Sequence, residues 1–404
     1  MPGNLVVLQS GGCTAVMNAS LAGVLRAAAE SAAVGRVYGS HQGVRGLLRG
    51  ELFDLTEQAP PLDDLRRTPA ALLGSARHKL TEPELDRVLA MLRRLDIRYF
   101  HVIGGNDSAD TGHRLAEAAA RAGYELSVVT IPKTVDNDLP ETDHVPGYGS
   151  AARFIAQVIM DAGRDTESIS SVDPVKVIEV AGRDAGWLAA AGGLARRDDE
   201  DAPHLIYPPE RPFSIDRFLD DVQRSYDRRG RAVVVASEAL RDEATGDYLQ
   251  ADSSALYTDS FGHRQLGGAA AALCQAVAGR LGLKAKFDKP GTIQRMMTAS
   301  HSEVDLAEAE AAGAHAVELA AGGLTGAMVT LLRVSDAPYR CELGHAPLDR
   351  IANRVRCLPA EYLTGDAHAV TDAYRAYADP LLGAPLPRYP RLRKVFAPLP
   401  SPSE

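Results

Sequence analysis

Cysteine is scarce in this sequence, and the few thiols are far apart. The 404 residues contain 4 cysteines, and none of them forms a C-x-x-C pair. They are Cys13, Cys274, Cys341 and Cys357. This spacing argues against a disulfide framework and against a zinc site, and it fits reduced thiols. We therefore predict a cytoplasmic protein.

Long apolar runs and an excess of positive charge are absent as well. No apolar run is long enough to span a bilayer, and no signal peptide precedes the first predicted strand, so we expect no contact with membranes. The formal net charge is -9 at pH 7, which argues against a broad nucleic-acid-binding surface. An acidic chain that binds a phosphorylated substrate must gather its basic residues locally. A nicotinamide cofactor is also disfavoured, because no G-x-G-x-x-G follows a predicted strand with an acidic residue about 20 positions later.

The most informative segment is Val129–Asp138, where an apolar, β-branched strand gives way to charged residues. Lys133 and Asp136 stand three positions apart just after this strand, with Thr134 and Asp138 beside them. The carboxyl ends of parallel strands are where open α/β sheets bind their ligands. A lysine can neutralise an anion that is being transferred, and an aspartate can take the proton of the accepting hydroxyl. The segment therefore predicts a group-transfer site.

The order of strand, glycine pair and helix occurs twice before this segment. The predicted strand Asn4–Leu8 is followed by Gly11-Gly12, and a second predicted strand is followed by Gly104-Gly105. Glycine lets a ligand approach the backbone, and the start of a helix offers free N–H groups to an anion. The alternative is that these glycines only serve tight turns. Polar residues at three strand ends indicate a doubly wound parallel sheet.

A second unit of the same kind follows in the chain. The predicted strands Val175–Val180 and Arg231–Ala236 again end in polar residues. Because the length also suggests two domains, we predict an α/β fold with two doubly wound, Rossmann-like domains and mainly parallel sheets. The active site would lie in the cleft between them.

A cationic segment near the end of the second unit is a further candidate. Four basic residues lie from Lys284 to Arg295, in a predicted loop that follows a mainly helical segment at Phe261–Leu281. Arg295 stands next to two methionines, which indicates partial burial and hence an anionic partner. The alternative is a solvated run of charge.

Seven of these loops have the order and spacing of one known family. They are Gly11-Gly12 with Met17-Asn18, Gly74-Ser75-Ala76-Arg77, Gly104–Ser108, Pro132–Asp138, Gly182–Trp187, Ser237-Glu238 and Gly291–Arg295. From about residue 4 to about residue 300, the chain resembles the phosphofructokinase family, and within it the pyrophosphate-dependent members. The tail is similar through Ala352-Asn353 and Leu358–Tyr362.

The resemblance implies a reversible, magnesium-dependent transfer of a phosphoryl group from pyrophosphate to the 1-hydroxyl of fructose 6-phosphate, which gives fructose 1,6-bisphosphate and phosphate. It implies a donor domain of residues 1–147 plus about 293–343, and a sugar-phosphate domain of residues 148–292 plus about 344–404. Some 6-phosphate contacts in this family come from a neighbouring subunit. The resemblance therefore also implies a homo-oligomer, most simply a dimer.

The resemblance assigns a role to each matching position. Asp136 would take the proton of the sugar hydroxyl, and Asn106 would stand on the metal side, where relatives usually carry aspartate. The implied catalytic residues are Asp136, Lys133, Asp107 and Arg183. The implied pyrophosphate-binding residues are Gly11, Gly12, Arg77, Asp107 and Lys133. The implied sugar-phosphate-binding residues are Thr134, Val135, Asp136, Asp138, Ala181, Gly182, Arg183, Glu238, Lys286, Thr292, Ile293, Gln294 and Arg295.

The choice of donor depends on two positions where ATP-dependent relatives carry glycine. Asp107 would place a carboxylate where the α-phosphate of ATP lies, and two such anions repel by roughly several kcal/mol at an effective dielectric of about 20. Lys133 would place a positive charge on the pyrophosphate that is split. Three alternatives stay open: sedoheptulose 7-phosphate as acceptor, where the small Thr292 would leave room, ATP as donor, and a non-catalytic sugar-phosphate sensor.

Overall fold

The computed structural model describes residues 2–249, 266–366, 368–393 and 395–398, and its strands form two separate sheets. The strands are β1 (Gly3–Ser10), β2 (Val34–Ser40), β3 (Leu52–Asp54), β4 (Ser75–Ala76), β5 (Ile97–Gly104), β6 (Ser127–Pro132), β7 (Val175–Val180), β8 (Leu205–Tyr207), β9 (Ala232–Ser237), β10 (Ala285–Asp288), β11 (Ala327–Asp336) and β12 (Tyr339–Pro347). The helices are α1 (Met17–Glu30), α2 (Val44–Arg49), α3 (Leu55–Gln58), α4 (Leu62–Arg67), α5 (Glu82–Arg94), α6 (Asn106–Arg121), α7 (Tyr148–Ser168), α8 (Trp187–Gly192), α9 (Ile215–Arg229), α10 (Ala269–Leu281), α11 (Glu303–Ala321) and α12 (Asp372–Ala378).

Both sheets are built mainly from parallel strands. The first has the order β12-β11-β6-β5-β1-β2-β3, with β4 paired to β1, and only its two edge strands, β3 and β12, are antiparallel to their neighbours. The second has the order β10-β7-β9-β8 and is parallel throughout. The predicted α/β class with two doubly wound, mainly parallel sheets is confirmed.

Strand β6 shows why the first sheet is doubly wound. Val129 and Ile131 belong to an apolar cluster with residues of α1 and α11, whereas Val128 belongs to another cluster with residues of α5 and α6. Successive side chains of a strand point to opposite faces, so helices on both faces make every apolar residue of β6 a core residue. A strand of this kind reads as a continuous apolar run, which is the pattern that the sequence shows.

Helix α11 returns the chain to the first sheet after the second sheet is complete. It packs against α1 through two glycines. A side chain at Gly23 would strike the backbone of α11 at Glu310, and one at Gly313 would strike the backbone of α1 at Ser20. Because glycine has no Cβ, the two helix backbones can lie in direct contact.

Three predicted segments differ from the observed elements. The cationic segment is not all loop, because β10 pairs with β7 from residue 285 to 288. Helix α10 begins at Ala269, and residues 261–265 of the predicted helix lie outside the described residues. The predicted domain boundary near residue 343 falls inside β12, which belongs to the first sheet; the domain division itself stays a prediction. Among the described residues, no helix has the length and apolar character needed to cross a membrane.

Candidate active site

A cavity of about 350 Å³ lies at the carboxyl ends of β1, β5 and β6. Its far wall comes from the loop that follows β7 and from a short part of the tail. The cavity is lined by Ser10, Gly11, Gly12, Ala76, Arg77, Gly105, Asn106, Asp107, Ser108, Lys133, Thr134, Asp136, Asp138, Arg183, Asp184, Ala185, Asn353 and Val355. The structure therefore brings predicted residues from five separate segments of the chain into one site, as expected where the carboxyl edge of a parallel sheet binds a ligand.

The loop after β1, residues 11–14, forms the floor beneath the lysine and is called the β1 loop below. Gly11 has φ +78°, a conformation that favours glycine. Its carbonyl accepts a hydrogen bond of 2.7 Å from Ser75 Oγ. The next carbonyl, that of Gly12, accepts one of 2.8 Å from Lys133 Nζ. A Cβ on Gly11 would lie 3.3 Å from the same ammonium, so the glycine leaves Lys133 room beside the backbone.

The loop after β6, residues 133–143, carries the two aspartates that line the cavity, Asp136 and Asp138, and is called the β6 loop below. The amide of Asp136 donates a hydrogen bond of 3.0 Å to Thr134 Oγ1. Asn137 has φ +54°, which reverses the chain between the two aspartates. Its side chain accepts a bond of 3.0 Å from the Val145 amide and donates one of 2.8 Å to the Tyr377 hydroxyl. The turn is therefore held from within the protein, while both carboxylates line the cavity.

Burial shifts the pKa values of Asp136 and Lys133 towards neutrality. Burial, together with the neighbouring Asp138 carboxylate, raises the pKa of Asp136 to about 7. Burial, together with the Arg295 guanidinium, lowers the pKa of Lys133 to about 8. Within the described part of the chain, Asp136 Oδ1 is buried and has no hydrogen-bond partner. A buried carboxylate with an open acceptor position and a pKa near neutrality suits a general base.

The turn Gly291–Arg295 joins the two halves of the site. The Gln294 side chain accepts a hydrogen bond of 3.0 Å from the Ala181 amide, and the Arg295 carbonyl accepts one of 2.7 Å from the Ala15 amide. A Cβ on Gly12 would strike the Arg295 guanidinium. Arg295 thus lies against the β1 loop in this structure, as a partly buried cation next to Lys133. The sequence predicted the partial burial of Arg295, but it did not predict that Arg295 packs against the β1 loop.

The sugar-phosphate side of the predicted site is assembled at the ends of β7 and β9. Gly182 has φ +121°, and its carbonyl accepts a hydrogen bond of 2.9 Å from Ser237 Oγ. The amide of Glu238 donates a bond of 2.9 Å to the Val180 carbonyl, which ties the two strand ends together. Burial raises the pKa of Glu238, and the nearby Glu179 carboxylate adds to this effect.

Some predicted site residues do not line the cavity, because they lie outside it or pack against other parts of the protein. Lys286 lies near the amino end of β10, with its Nζ 2.6 Å from Asp173 Oδ2, so it is remote from the cavity of its own chain. Val135 is buried in the apolar cluster around α7, and Thr292 and Ile293 are exposed. These placements leave Val135 only its backbone for a ligand.

The Asn106 side chain, predicted to stand on the metal side, is engaged at both ends. Its Oδ1 accepts a hydrogen bond of 2.5 Å from the Asn353 amide, and its Nδ2 donates to the Arg354 carbonyl. One lone pair of the oxygen is thereby used for the tail. Sequence reasoning missed the contact of the tail with this site, although Ala352-Asn353, where the tail resembles the family, was a signal for it.

A buried lysine, carboxylates and arginines face one cavity between two mainly parallel sheets, and such groups suit the transfer of a phosphoryl group. The model of the family described as Phosphofructokinase matches residues 4–320, so this chain belongs to the phosphofructokinase family. A relative from Xanthomonas campestris pv. campestris (strain B100), named pyrophosphate--fructose 6-phosphate 1-phosphotransferase, is 41% identical over 409 residues and is matched over 97% of each chain.

Two further relatives match over most of their length. A sulfofructose kinase from Alkalicoccus urumqiensis is 34% identical, over 88% of this chain and 90% of the relative. The crystal structure of a pyrophosphate-dependent phosphofructokinase from Marinobacter aquaeolei superposes with a TM-score of 0.86 at 36% identity, over 97% of this chain and 94% of that one.

Proposed function

We propose that this protein transfers a phosphoryl group from pyrophosphate to the 1-hydroxyl of fructose 6-phosphate, and that it also catalyses the reverse reaction. The observation that carries the proposal is the placement of Lys133 and Asp136 in one cavity, with Lys133 bound to the β1 loop. Relatives with this activity in their names span nearly the whole chain and support the assignment. One phosphoanhydride is exchanged for one phosphoester, so we expect the reaction to run in both directions.

In this proposal the cations of the cavity bind the phosphate groups, and a carboxylate accepts the proton of the sugar hydroxyl. Pyrophosphate would lie over the β1 loop, where Lys133 and Arg77 neutralise its charge. Fructose 6-phosphate would enter from the side of Arg183 and Glu238, with its 1-hydroxyl at the open oxygen of Asp136. Asp136 takes the hydroxyl proton while the sugar oxygen attacks the transferred phosphorus. Phosphate leaves with the electron pair of the broken anhydride bond, and the cations stabilise its charge.

Magnesium fits the oxygen-rich part of this cavity. Hard divalent cations prefer carboxylate, amide and phosphate oxygens. Asp107 and Asp138 both line the cavity and would hold the ion, whereas the Asn106 oxygen already accepts a bond from Asn353. When bound, magnesium would neutralise the donor phosphates and hold them in register with the acceptor.

Pyrophosphate is favoured over ATP as the donor by the first turn of α6. Asp107 is the acidic residue of that turn, and it lines the cavity together with Lys133. A carboxylate at this point repels the α-phosphate of a nucleotide and leaves room for the smaller donor.

A different ketose phosphate is the second candidate acceptor. Thr292 and Ile293, in the turn that would contact the sugar, are exposed and leave space beside Arg295. Sedoheptulose 7-phosphate is longer by one hydroxymethylene group and would use such space. A relative named sulfofructose kinase belongs to the same family, so the acceptor differs among its members.

A homo-oligomer, most simply a dimer, would give Lys286 a role. It lies on the edge strand of the second sheet, beside Asp173, and would contact the 6-phosphate in the cavity of another subunit. The division into a donor domain and a sugar-phosphate domain is part of the same proposal.

A matrix of donors and acceptors tests the proposal. Initial rates would be measured with pyrophosphate or ATP against fructose 6-phosphate or sedoheptulose 7-phosphate, in the presence of magnesium. We expect the highest kcat/KM with pyrophosphate and fructose 6-phosphate. ATP rates equal to or above those with pyrophosphate would refute the donor. Binding of fructose 6-phosphate without turnover in any combination would indicate a sensor.

A further inference from the structure

A short part of the tail, residues 353–358, crosses the back of the cavity and is called the tail strap below. At its start it is bound to α6. The Asn353 amide and the Arg354 carbonyl bond to opposite ends of the Asn106 side chain, and Asn353 Nδ2 donates a bond of 2.9 Å to Asp110 Oδ1. The strap therefore begins at the helix whose first turn carries Asp107.

The middle of the strap holds the β6 loop. Arg356 donates from Nε and Nη2 to the Asn137 carbonyl, at 3.2 and 2.8 Å. Its Nη1 donates to the Thr142 carbonyl at 2.6 Å and to the Asp143 carbonyl. Its own amide donates a bond of 2.8 Å to the Asp138 carbonyl. One side chain thus binds the residue between the two cavity aspartates, Asn137, and the far end of the same loop.

The end of the strap is bound to the second sheet's half of the molecule. Trp187 Nε1 donates a hydrogen bond of 3.1 Å to the Arg356 carbonyl, and the guanidinium lies 4.6 Å from the centroid of the indole ring. Glu210 Oε1 accepts bonds from the Gly186 amide at 2.6 Å and from the Leu358 amide at 2.8 Å. Gly186 and Trp187 follow directly on the loop that carries Arg183.

We propose that Arg356 is a positioning residue, which fixes the β6 loop so that Asp136 faces the acceptor hydroxyl and keeps it in register with the loop of Arg183. The expected effect on kcat rests on the proposed function, whereas the expected effect on the loop does not. Arg356 contacts the loop from behind through its carbonyls, so it acts through Asp136. The planar guanidinium, with donors on three nitrogens, can bind the three carbonyls at once while it stacks on the indole. A lysine ammonium cannot reproduce this arrangement.

The test compares Arg356→Lys with Arg375→Lys as a matched control. Arg375 is also partly buried and also binds backbone carbonyls, those of Gly193, Leu194 and Arg196, but none of these carbonyls belongs to the β6 loop. We expect Arg356→Lys to lower kcat by roughly 10- to 100-fold, because small displacements of a reacting group have effects of this size. KM for either substrate should change less, since Arg356 contacts neither. Arg375→Lys should keep the wild-type kcat.

A second readout does not depend on the reaction. Hydrogen exchange followed by mass spectrometry would report on peptides that cover residues 133–143 in the same variants. We expect faster exchange of this loop in Arg356→Lys and unchanged exchange in Arg375→Lys. Addition of guanidinium ion to Arg356→Ala should restore part of its kcat, which a general loss of stability would not allow.

The outcomes separate this inference from the proposed function. If the wild-type enzyme is active and Arg356→Lys matches the control in kcat or in loop exchange, the positioning role is wrong. If the wild-type enzyme does not turn over pyrophosphate and fructose 6-phosphate, the proposed function fails. Faster exchange of the β6 loop in Arg356→Lys would then still show that Arg356 fixes this loop. Unchanged exchange would show that Arg356 does not fix it.

Discussion

The Lys133 ammonium donates a hydrogen bond to the Gly12 carbonyl, with 2.8 Å between Nζ and O. This bond joins the loops that follow β1 and β6, and it fixes the charge at the point where two segments proposed to bind the donor meet. A single side chain therefore couples the floor of the proposed donor site to the loop that carries Asp136. Removal of the charge should affect the reaction more than the fold.

We predict that Lys133→Met lowers kcat/KM for pyrophosphate by roughly 10²- to 10³-fold, the range seen when one stabilising donor is removed from a transition state. Methionine keeps most of the length and apolar volume of the lysine stem, and burial of an uncharged group avoids the cost of desolvating an ammonium. Steady-state kinetics with varied pyrophosphate would measure the effect. Lys79→Met, at an exposed position, serves as the control. Equal losses in both variants would contradict a specific role for Lys133.

The pH dependence of kcat/KM should be bell-shaped and narrow. Asp136, the proposed base, must be ionised, and burial raises its pKa to about 7, so activity should rise with pH through that value. Lys133 must be protonated, and burial lowers its pKa to about 8, so activity should fall above that value. Rate profiles from pH 5 to 10 would show both limbs.

Lys133→Arg tests which limb belongs to the lysine. Arginine stays charged throughout this range, so the alkaline limb should disappear while the acid limb stays in place. The phosphate group of fructose 6-phosphate titrates on the acid side, near a pKa of about 6. An alkaline limb that persists in the arginine variant would mean that a group other than Lys133 is responsible.

Much of this site could be predicted from the sequence because its residues follow apolar strands directly. Lys133 and Asp136 stand just beyond β6, and Gly11 just beyond β1, so the topology of a parallel sheet brings them together without further information. The fold class was accessible for the same reason, since strands covered on both faces are continuous apolar runs.

The remaining features depend on contacts between distant segments. Lys286 belongs to a dense run of positive charge, but the register of β10 with β7 places it near the amino end of the strand, beside Asp173. The density of positive charge in the sequence does not predict this strand register. The tail strap binds through backbone groups, the Asn353 side chain and one guanidinium. Arg356 lies between the two tail segments that resemble the family, so its role is visible only in three dimensions.

Asp107→Gly should admit ATP as a weak donor. Removal of the carboxylate from the first turn of α6 removes its repulsion with a nucleotide α-phosphate. Asp107→Ala separates this effect from the added flexibility of glycine, and Glu117→Ala, at an exposed position of α6, controls for loss of charge in the same helix. Rates with ATP and with pyrophosphate would be compared for each variant. No gain of ATP turnover in either Asp107 variant would show that another residue excludes the nucleotide.

Asp136→Asn should make the protein more stable at pH 8 while it abolishes turnover. The pKa of Asp136 is raised from 3.8 to about 7, so the native state holds this proton more tightly than the unfolded chain does. Stability present below pH 3.8 is therefore lost as pH rises towards 7, and the loss persists above that value. Each pKa unit corresponds to about 1.4 kcal/mol, so the asparagine variant should gain on the order of a few kcal/mol at pH 8.

Urea unfolding at pH 4 and pH 8 would measure this difference between the variant and the wild type. The gain should be large at pH 8 and small at pH 4, where the native carboxyl group is protonated and resembles the amide. Asp86→Asn, on an exposed position of α5, removes the same formal charge without a buried group and should change the free energy of unfolding little at either pH. If Asp136→Asn is no more stable than the wild type at pH 8, ionisation of Asp136 carries no cost in the folded protein, and the raised pKa on which its role as a neutral-pH base depends is wrong.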